Sequence, residues 1–352
     1  MDRRLIWAIA LMMVIAIAPS FFIKSPKTTR GSRPDSGAVS PGGAAQAFPP
    51  VAGVEAPSTR PSGAPSAVKP AETVSVSSAL YRYDISTRGG AIVQATLLQY
   101  KSLDPAHKGL PVRLLPDSTA IHQLAVIVGN DTLNLADWDF IPSARRLDVS
   151  TASELKLTAQ RGDVSVELSY AFRPDDYLIG VHGRLNGIGP VGGHLLISLG
   201  NGMRQTEFDS AANYYTYAVV TKTEQSQSLP FAKLKPAEPA RTLEGPFDWA
   251  AVKSKYFVTA LLASDTGSSQ ISGVLVRPLP GQQRVTHAAV TLGMPVPPSG
   301  VFAYRLYAGA LEYPRLRAVG HDFYDINPYG WPGFRTIIRP IAVGARWLLV
   351  SM

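Results

Sequence analysis

The chain has 352 residues, 34 Lys and Arg against 26 Asp and Glu, and no cysteine. The lack of cysteine excludes disulfides, thiolate metal sites and a cysteine nucleophile, while the length allows a core that folds without such staples. The net charge of +8 gathers at the ends: residues 1–72 carry eight basic against four acidic side chains and 311–352 five against three, but 73–310 carry 21 against 19. Anionic lipid headgroups are therefore a simpler counterion than nucleic acid.

The first element is an uncharged run from Leu5 to Ile23, flanked by Arg3, Arg4 and Lys24. As a helix it would span about 28 Å, close to the roughly 30 Å hydrocarbon core of a bilayer. A cleaved signal peptide ending at Ala16-Ile17-Ala18 competes with this reading. Against it, Pro19 has the wrong backbone shape just after that site, and Phe21, Phe22 and Ile23 prolong the run beyond a signal core. Residues 1–24 are expected to be a retained transmembrane anchor. Basic residues stand on both sides of it, so charge alone leaves its orientation open. Residues 25–73 come next, with nine prolines between Ser25 and Glu72 and mostly Gly, Ala and Ser among them. Such a stretch buries too little apolar surface to offset its ordering entropy, and a disordered, extended linker is expected.

From 74 to 310 one strand pattern follows another. Tyr81, Tyr83 and Ile85 alternate with polar residues, as do Leu155, Leu157 and Ala159. Gln160-Arg161-Gly162-Asp163 is a turn, after which Val164, Val166, Leu168, Tyr170 and Phe172 alternate again. Arg173-Pro174-Asp175-Asp176 reads as the next turn, followed by Tyr177, Ile179, Val181 and Leu185. Further candidate strands are Tyr214–Thr221, Phe247–Lys253, Tyr256–Ala263, Ile271–Val276, Arg284–Leu292 and Val301–Tyr307. Period two with polar partners predicts half-buried antiparallel strands, hence an all-β sandwich or barrel of over 200 residues. There is no fixed-period repeat, which argues against a propeller.

Little in this domain points to chemistry. His107, His122, His182, His194, His287 and His321 show no metal-ligand spacing; His122 is expected to begin a strand and His182 to sit on a polar face. The glycine-rich stretch Gly187–Gly193 lacks the strand–loop–helix setting and the lysine that a phosphate loop needs. Arg88-Gly89-Gly90 reads as a turn with glycines at positive φ, not as an RNA-binding segment. Glu244 and Asp248 beside Trp249 are candidates for lining a sugar cleft.

At Leu311 the strand pattern stops. Leu311–Val319 is expected to form a short helix, and Asn327-Pro328-Tyr329-Gly330-Trp331 a turn carrying interfacial aromatics. On a helical wheel starting at Arg335, Arg339 falls near about 40° and Arg346 near about 20°. Ile337, Ile338, Ile341, Ala345, Trp347 and Leu348 cover the opposite arc, and Pro340 bends the helix. Residues 311–352 thus read as a short helix plus a basic amphipathic helix that lies in the headgroup plane, with Trp331, Arg335, Arg339, Arg346 and Trp347 at the membrane interface. A helix packed on the β domain with a solvated arginine face is the competing reading.

The order of parts resembles the N-terminal part of the bacterial YidC membrane insertases, of the YidC/Oxa/Alb family. Ile85-Ser86-Thr87-Arg88-Gly89-Gly90-Ala91-Ile92, followed by Leu97, Leu98, Tyr100 and Lys101, is similar to the family's opening stretch. Asp176-Tyr177-Leu178-Ile179 is similar to a central strand, and Trp249-Ala250-Ala251-Val252-Lys253-Ser254-Lys255-Tyr256-Phe257 to a signature with a tryptophan, two lysines and Tyr-Phe. Tyr307-Ala308-Gly309, Tyr329-Gly330-Trp331 and Arg339-Pro340 match the passage into the interfacial helix.

The resemblance implies an antiparallel β super-sandwich similar to galactose mutarotases, placed in the periplasm, with a cytoplasmic N-terminus and residence in the inner membrane. It implies a non-enzymatic chaperone and insertase without cofactor, whose partners are nascent inner-membrane proteins, Sec translocon components and the lipid bilayer. In the family five more transmembrane helices follow, enclosing a groove with a substrate-receiving arginine. This chain stops at Met352, as a fragment, a split gene product or a truncated form. No residue here matches that arginine, and residues 1–352 alone are not expected to insert proteins. The alternative is a membrane-anchored periplasmic carbohydrate-binding or carbohydrate-modifying β-sandwich.

Overall fold

The computed structural model describes residues 71–264 and 270–327. The anchor 1–24, most of the linker and the stretch from 328 onward lie outside the described residues. Among the described residues twenty strands, β1 to β20 in chain order, form three sheets. The five-stranded sheet has the order β4 (Pro111–Arg113), β3 (Ile92–Lys101), β2 (Tyr81–Ser86), β1 (Thr73–Ser77), β8 (Arg146–Asp148). The six-stranded sheet runs β15 (Arg241–Phe247), β18 (Ile271–Pro278), β19 (Ala288–Val296), β12 (Gly193–Ser198), β5 (Gln123–Val128), β6 (Asp131–Asn134). The nine-stranded sheet runs β14 (Ser226–Pro230), β13 (Ala218–Lys222), β16 (Trp249–Lys253), β17 (Phe257–Ala263), β20 (Val301–Ala310), β11 (Leu178–Asn186), β10 (Val164–Phe172), β9 (Ser153–Arg161), β7 (Ile141–Pro142). All pairs are antiparallel except β1 with β8. This is the all-β, antiparallel architecture expected from the alternation, arranged as the super-sandwich that the family resemblance implies.

The β9–β10 hairpin shows the alternation at work. Leu157 lies opposite Leu168 and Leu155 opposite Tyr170, all buried, and Gly162 turns the chain at φ 60°. Other boundaries move. Tyr214 closes a short helix, α1 (Ser210–Tyr214), capped by the Asp209 carboxylate on the Ala212 amide; the strand expected from Tyr214 starts only at Ala218. The expected strand Phe247–Lys253 is two strands of different sheets, divided at Asp248. The expected Arg284–Leu292 strand begins at Ala288. His122 does not begin a strand: it precedes β5 with φ 63°.

The middle of the nine-stranded sheet is buried on both faces. Every residue of β13 and β17 is buried, and of β16 all but Lys253. Period two divides β20. Tyr304 faces His122 in the sandwich interior, whereas Arg305 and Tyr307 face the segment after β20: Arg305 Nη1 donates to the Val319 carbonyl at 3.0 Å, and the Tyr307 ring lies 5.4 Å from Phe323. That segment is a second short helix, α2 (Tyr313–Val319), with Pro314 in its first turn, then a 3-10 turn at Phe323–Ile326. Leu316, Val319, Phe323 and Ile326 are buried, each contributing about 2 kcal/mol of apolar burial.

Aromatic rings connect these layers without a break. From Phe302 they pass through Tyr304, His122, Tyr170, Phe172, Tyr83, Tyr81, Tyr177, Tyr307 and Phe323 to Trp249, with successive centroids 4.4–6.5 Å apart. Two buried phenols find acceptors across the layers: Tyr83 donates to the Ala308 carbonyl at 2.8 Å and Tyr81 to that of Arg173 at 2.9 Å. Tyr177 packs directly against Gly309, where an added Cβ would sit 2.5 Å from its ring. Gly309→Ala should therefore destabilise the protein by about 1–3 kcal/mol in a denaturant titration, through overpacking. Gly180→Ala, whose Cβ would meet Ala171 at an ordinary 3.4 Å, is the control and should cost under about 1 kcal/mol.

Candidate functional site

Trp331, Arg335, Arg339, Arg346 and Trp347, expected at a membrane interface, lie outside the described residues. What is described is how the chain that leads to them is fastened. After β20, Leu311 N–H donates to the Tyr256 carbonyl at 2.7 Å and α2 runs back over the sheet. Positive φ at Gly320, His321 and Asp322 reverses the chain, and Tyr324 returns to the Tyr313 ring, 5.5 Å away.

Polar contacts hold this hairpin-like segment down. The Trp249 indole N–H donates to the His321 carbonyl at 3.0 Å, and Ser226 Oγ to the Asp325 carbonyl at 2.9 Å. Lys222, only 6% exposed, places Nζ 3.5 Å from the Asp322 carboxylate and 3.7 Å from that of Asp325. Lys253 Nζ donates to Asn327 Oδ1 at 2.5 Å, and burial lowers its pKa below the ordinary lysine value. Two carboxylates around a nearly buried ammonium offset its desolvation, and losing either side would strand a charge. The sequence reading missed Lys222, which ends an apolar strand where a solvated lysine is the usual expectation.

Lys222, Trp249 and Lys253 therefore hold down the segment through which the chain leaves the β body. Trp249 is fully buried against Phe323 at 5.2 Å and offers no platform to a sugar ring. Glu244 lies exposed on β15 in the six-stranded sheet, while Asp248 donates its amide to Lys222 beside the nine-stranded one. The sugar cleft expected from these residues is not formed. A cleft of about 660 Å³ does lie elsewhere, between α2 and β9–β11, with Glu154, Arg173, Asp176, His182 and Arg305 among its walls.

The histidines stay apart, and among the described residues no His/Asp/Glu group could hold a metal ion. His182 is exposed on its strand; His107 pairs with Asp104 at 2.7 Å and His287 with Thr286 at 2.8 Å. His122 is fully buried between two tyrosines. The Gly90 carbonyl accepts the Tyr170 O–H at 2.8 Å, which fixes the rest of the relay. Nδ1–H of His122 donates to the Tyr170 oxygen at 2.8 Å, and Nε2 accepts the Tyr304 O–H. Each group is satisfied only while the imidazole is neutral. Burial accordingly drives the His122 pKa down to about 3 and raises those of Tyr170 and Tyr304. Gly89 and Gly90, at φ 76° and 66°, form the turn expected of Arg88-Gly89-Gly90 and supply the relay's terminal acceptor.

Comparison with known proteins bears on the same residues. The family model described as the YidC periplasmic domain matches residues 73–343. Proteins called membrane protein insertase YidC are similar over most of the chain. That of Ralstonia nicotianae is 26% identical over 99% of this chain and 63% of its own length, and that of Janthinobacterium sp. 24% over 95% and 59%. That of Chlorobaculum tepidum is 25% identical over 77% of this chain and 46% of its own. The chain thus spans roughly half to two thirds of the length of these relatives. Among solved structures, a galactose mutarotase-like protein from Lactobacillus casei aligns over 68% of this chain and 99% of its own, at 11% identity and a TM-score of 0.40. A galactose mutarotase related enzyme from Lactobacillus acidophilus aligns over 67% and 97%, at 8% identity and a TM-score of 0.41.

Two outcomes test this geometry. Lys222→Ala should destabilise the protein by about 2–3 kcal/mol and speed amide exchange in 311–327 while the β9–β10 hairpin stays protected. Unchanged exchange there would show that the clamp does not hold the segment. For His122, the unfolded chain takes up a proton below about pH 6.5 that the folded chain refuses until about pH 3. Its contribution to stability is thus whole above pH 6.5 and falls away down to pH 3, by up to about 4–5 kcal/mol. His122→Asn, which tolerates the same φ, should lack this part of the acid sensitivity when urea midpoints are compared between pH 7 and 4.

Proposed function

From the premise that the chain belongs to the YidC family, with residues 73–343 matching its periplasmic domain, we propose that it is the periplasm-facing portion of a membrane protein insertase. It assists newly made inner-membrane proteins to enter and fold in the membrane, alone or beside the Sec translocon, through non-covalent contacts and without a cofactor. Residues 1–24 anchor it with the N-terminus in the cytoplasm, residues 25–73 are the tether, and 74–310 the β body. Residues 311–352 lead along the membrane surface, with Trp331, Arg335, Arg339, Arg346 and Trp347 at the headgroups.

The family match carries this reading. The fastened segment Leu311–Asn327 supports it, because it ties the chain leading to the expected amphipathic helix firmly to the β body. Nascent membrane proteins present apolar segments that need no covalent chemistry, only a path that spares them from water.

The experiment has two arms. In cells depleted of their insertase, the full chain should remain in the membrane fraction after an alkaline carbonate wash, with the β body accessible to protease from the periplasmic side. Photo-crosslinkers placed on the β body in cells should yield adducts with arrested nascent inner-membrane proteins or with Sec components. A chain freely soluble after the wash, or one giving neither adduct, would sink the proposal. Residues 1–352 expressed alone should not restore growth of such cells.

A further inference from the structure

One end of the β body differs from the rest of its surface. The β16–β17 turn, the loop before β13, the loop between β3 and β4, and the start of the segment after β20 meet there. Leu103 and Asp104 donate their amides to the Thr206 carbonyl, and Leu311 donates to that of Tyr256. Leu103, Glu207, Tyr256 and Leu311 share one hollow of about 380 Å³. Five large apolar side chains stand out from this pole: Phe208 is 77% exposed, Tyr215 69%, Leu110 57%, Leu103 52% and Tyr256 47%.

These side chains sit on fixed loops. Asn213, 1% exposed, donates to Gln205 Oε1 at 2.6 Å and to the Tyr217 hydroxyl at 3.0 Å, which holds the loop carrying Phe208 and Tyr215. Ser102 and Leu110 close the loop of Leu103 through a 2.9 Å backbone bond. Exposed aromatics and leucines at the tips of several braced loops make a set of prongs, not a groove shaped for one partner. Lys101, Lys108 and Lys255 stand among them and are offset by Asp104, Glu207 and Asp209, so the pole is close to charge balance.

The described chain also leaves the body here. Asn327 is held by Lys253, two residues before the exposed tip Lys255-Tyr256, and the sequence then continues with Trp331, Arg335, Arg339, Arg346 and Trp347. We propose that this pole is a lipid-contacting surface. Phe208, Tyr215, Tyr256, Leu103 and Leu110 enter the interfacial region of the bilayer, and the lysines reach headgroup phosphates. The inference rests on the membrane-bound reading above and adds to it a second footing, made by the β body itself. Apolar insertion carries the contact, because the charges nearly cancel; aromatic rings with polar edges are suited to that depth.

The chain has no cysteine, so single labels can be placed at will. Phe208→Cys, Tyr215→Cys and Tyr256→Cys, each in the full chain, are labelled with bimane and reconstituted in phosphatidylcholine vesicles brominated near the headgroup. Ile141→Cys and Val191→Cys serve as controls. Both native side chains are exposed, at 73% and 89%, and lie on an edge strand and beyond the opposite end of β11. Lipid quenching should be at least about twofold stronger at the three pole positions, and should persist in neutral lipid and high salt.

Equal quenching at all five positions would overturn the proposal, as would quenching that vanishes without anionic lipid. Shielding of the pole from aqueous iodide without lipid quenching would mean that a protein covers it, and would overturn it too. A chain that leaves the vesicles in an alkaline wash would refute the membrane-bound reading itself. A chain that stays, with a water-exposed Phe208 position, would refute only the lipid-contacting pole. Phe208 is so exposed that its replacement leaves the fold untouched, and an unchanged melting temperature checks this.

Discussion

The structure depends on a sheet that must be covered twice. In β13, β16 and β17 nearly every side chain is buried, so the nine-stranded sheet has no water-facing side at its centre. An antiparallel sheet in a sandwich covers one face only. The other face is covered by Leu311–Asn327, which brings Leu316, Val319, Phe323 and Ile326 down onto it. A segment that would otherwise be a connection out of the domain is thus part of its core. The chain is thus fastened to the β body as far as Asn327.

The residues that carry the family resemblance serve the same packing. Tyr177 crosses Gly309, Tyr83 bonds to the carbonyl of Ala308, Trp249 lies under His321, and Gly90 accepts from Tyr170. They stand along one continuous series of rings. A motif made of tyrosine, tryptophan and glycine suggests a ligand platform when read as isolated letters. In three dimensions it is a way to join sheets: the large rings fill the space, the missing Cβ of Gly309 admits Tyr177, and the phenols of Tyr83 and Tyr170 bond to the carbonyls of Ala308 and Gly90. The features that identify the family therefore concern how the β body is built, while the contacts proposed for its function lie at its edge and beyond Asn327.

His122 follows the same rule. A buried imidazole between two phenols has the ingredients of a proton relay in an active site. Here the relay ends on a backbone carbonyl beneath the Gly89-Gly90 turn. Its donors and acceptors are all used in holding β10, β20 and that turn together, and its neutral state is set by burial. The positive φ of His122 turns the ring inward just ahead of β5, a conformation that histidine accepts more readily than most side chains.

Local pattern alone determined the fold class and several strands. Alternation in Leu155–Ala159 and Val164–Phe172 is enforced by one wet and one dry face, so β9 and β10 were legible residue by residue. The turn at Arg88-Gly89-Gly90 was legible because only glycine takes positive φ at no cost. Where both faces are dry, alternation vanishes: Trp249–Lys253 and Phe257–Ala263 read as plain apolar runs, and the division at Asp248 between two sheets left no mark. Tyr214 and Tyr215 have strand-like side chains, yet the Asp209 cap and the Asn213 contacts make a helical turn there. Trp249 beside two acids looked like a sugar platform because exposure is not written in a sequence. Only the tertiary structure decided that the tryptophan is buried, that Lys222 meets Asp322 and Asp325 a hundred residues later, and that five apolar side chains share one pole. Each depends on which distant segments come to lie together, and local periodicity carries no record of that.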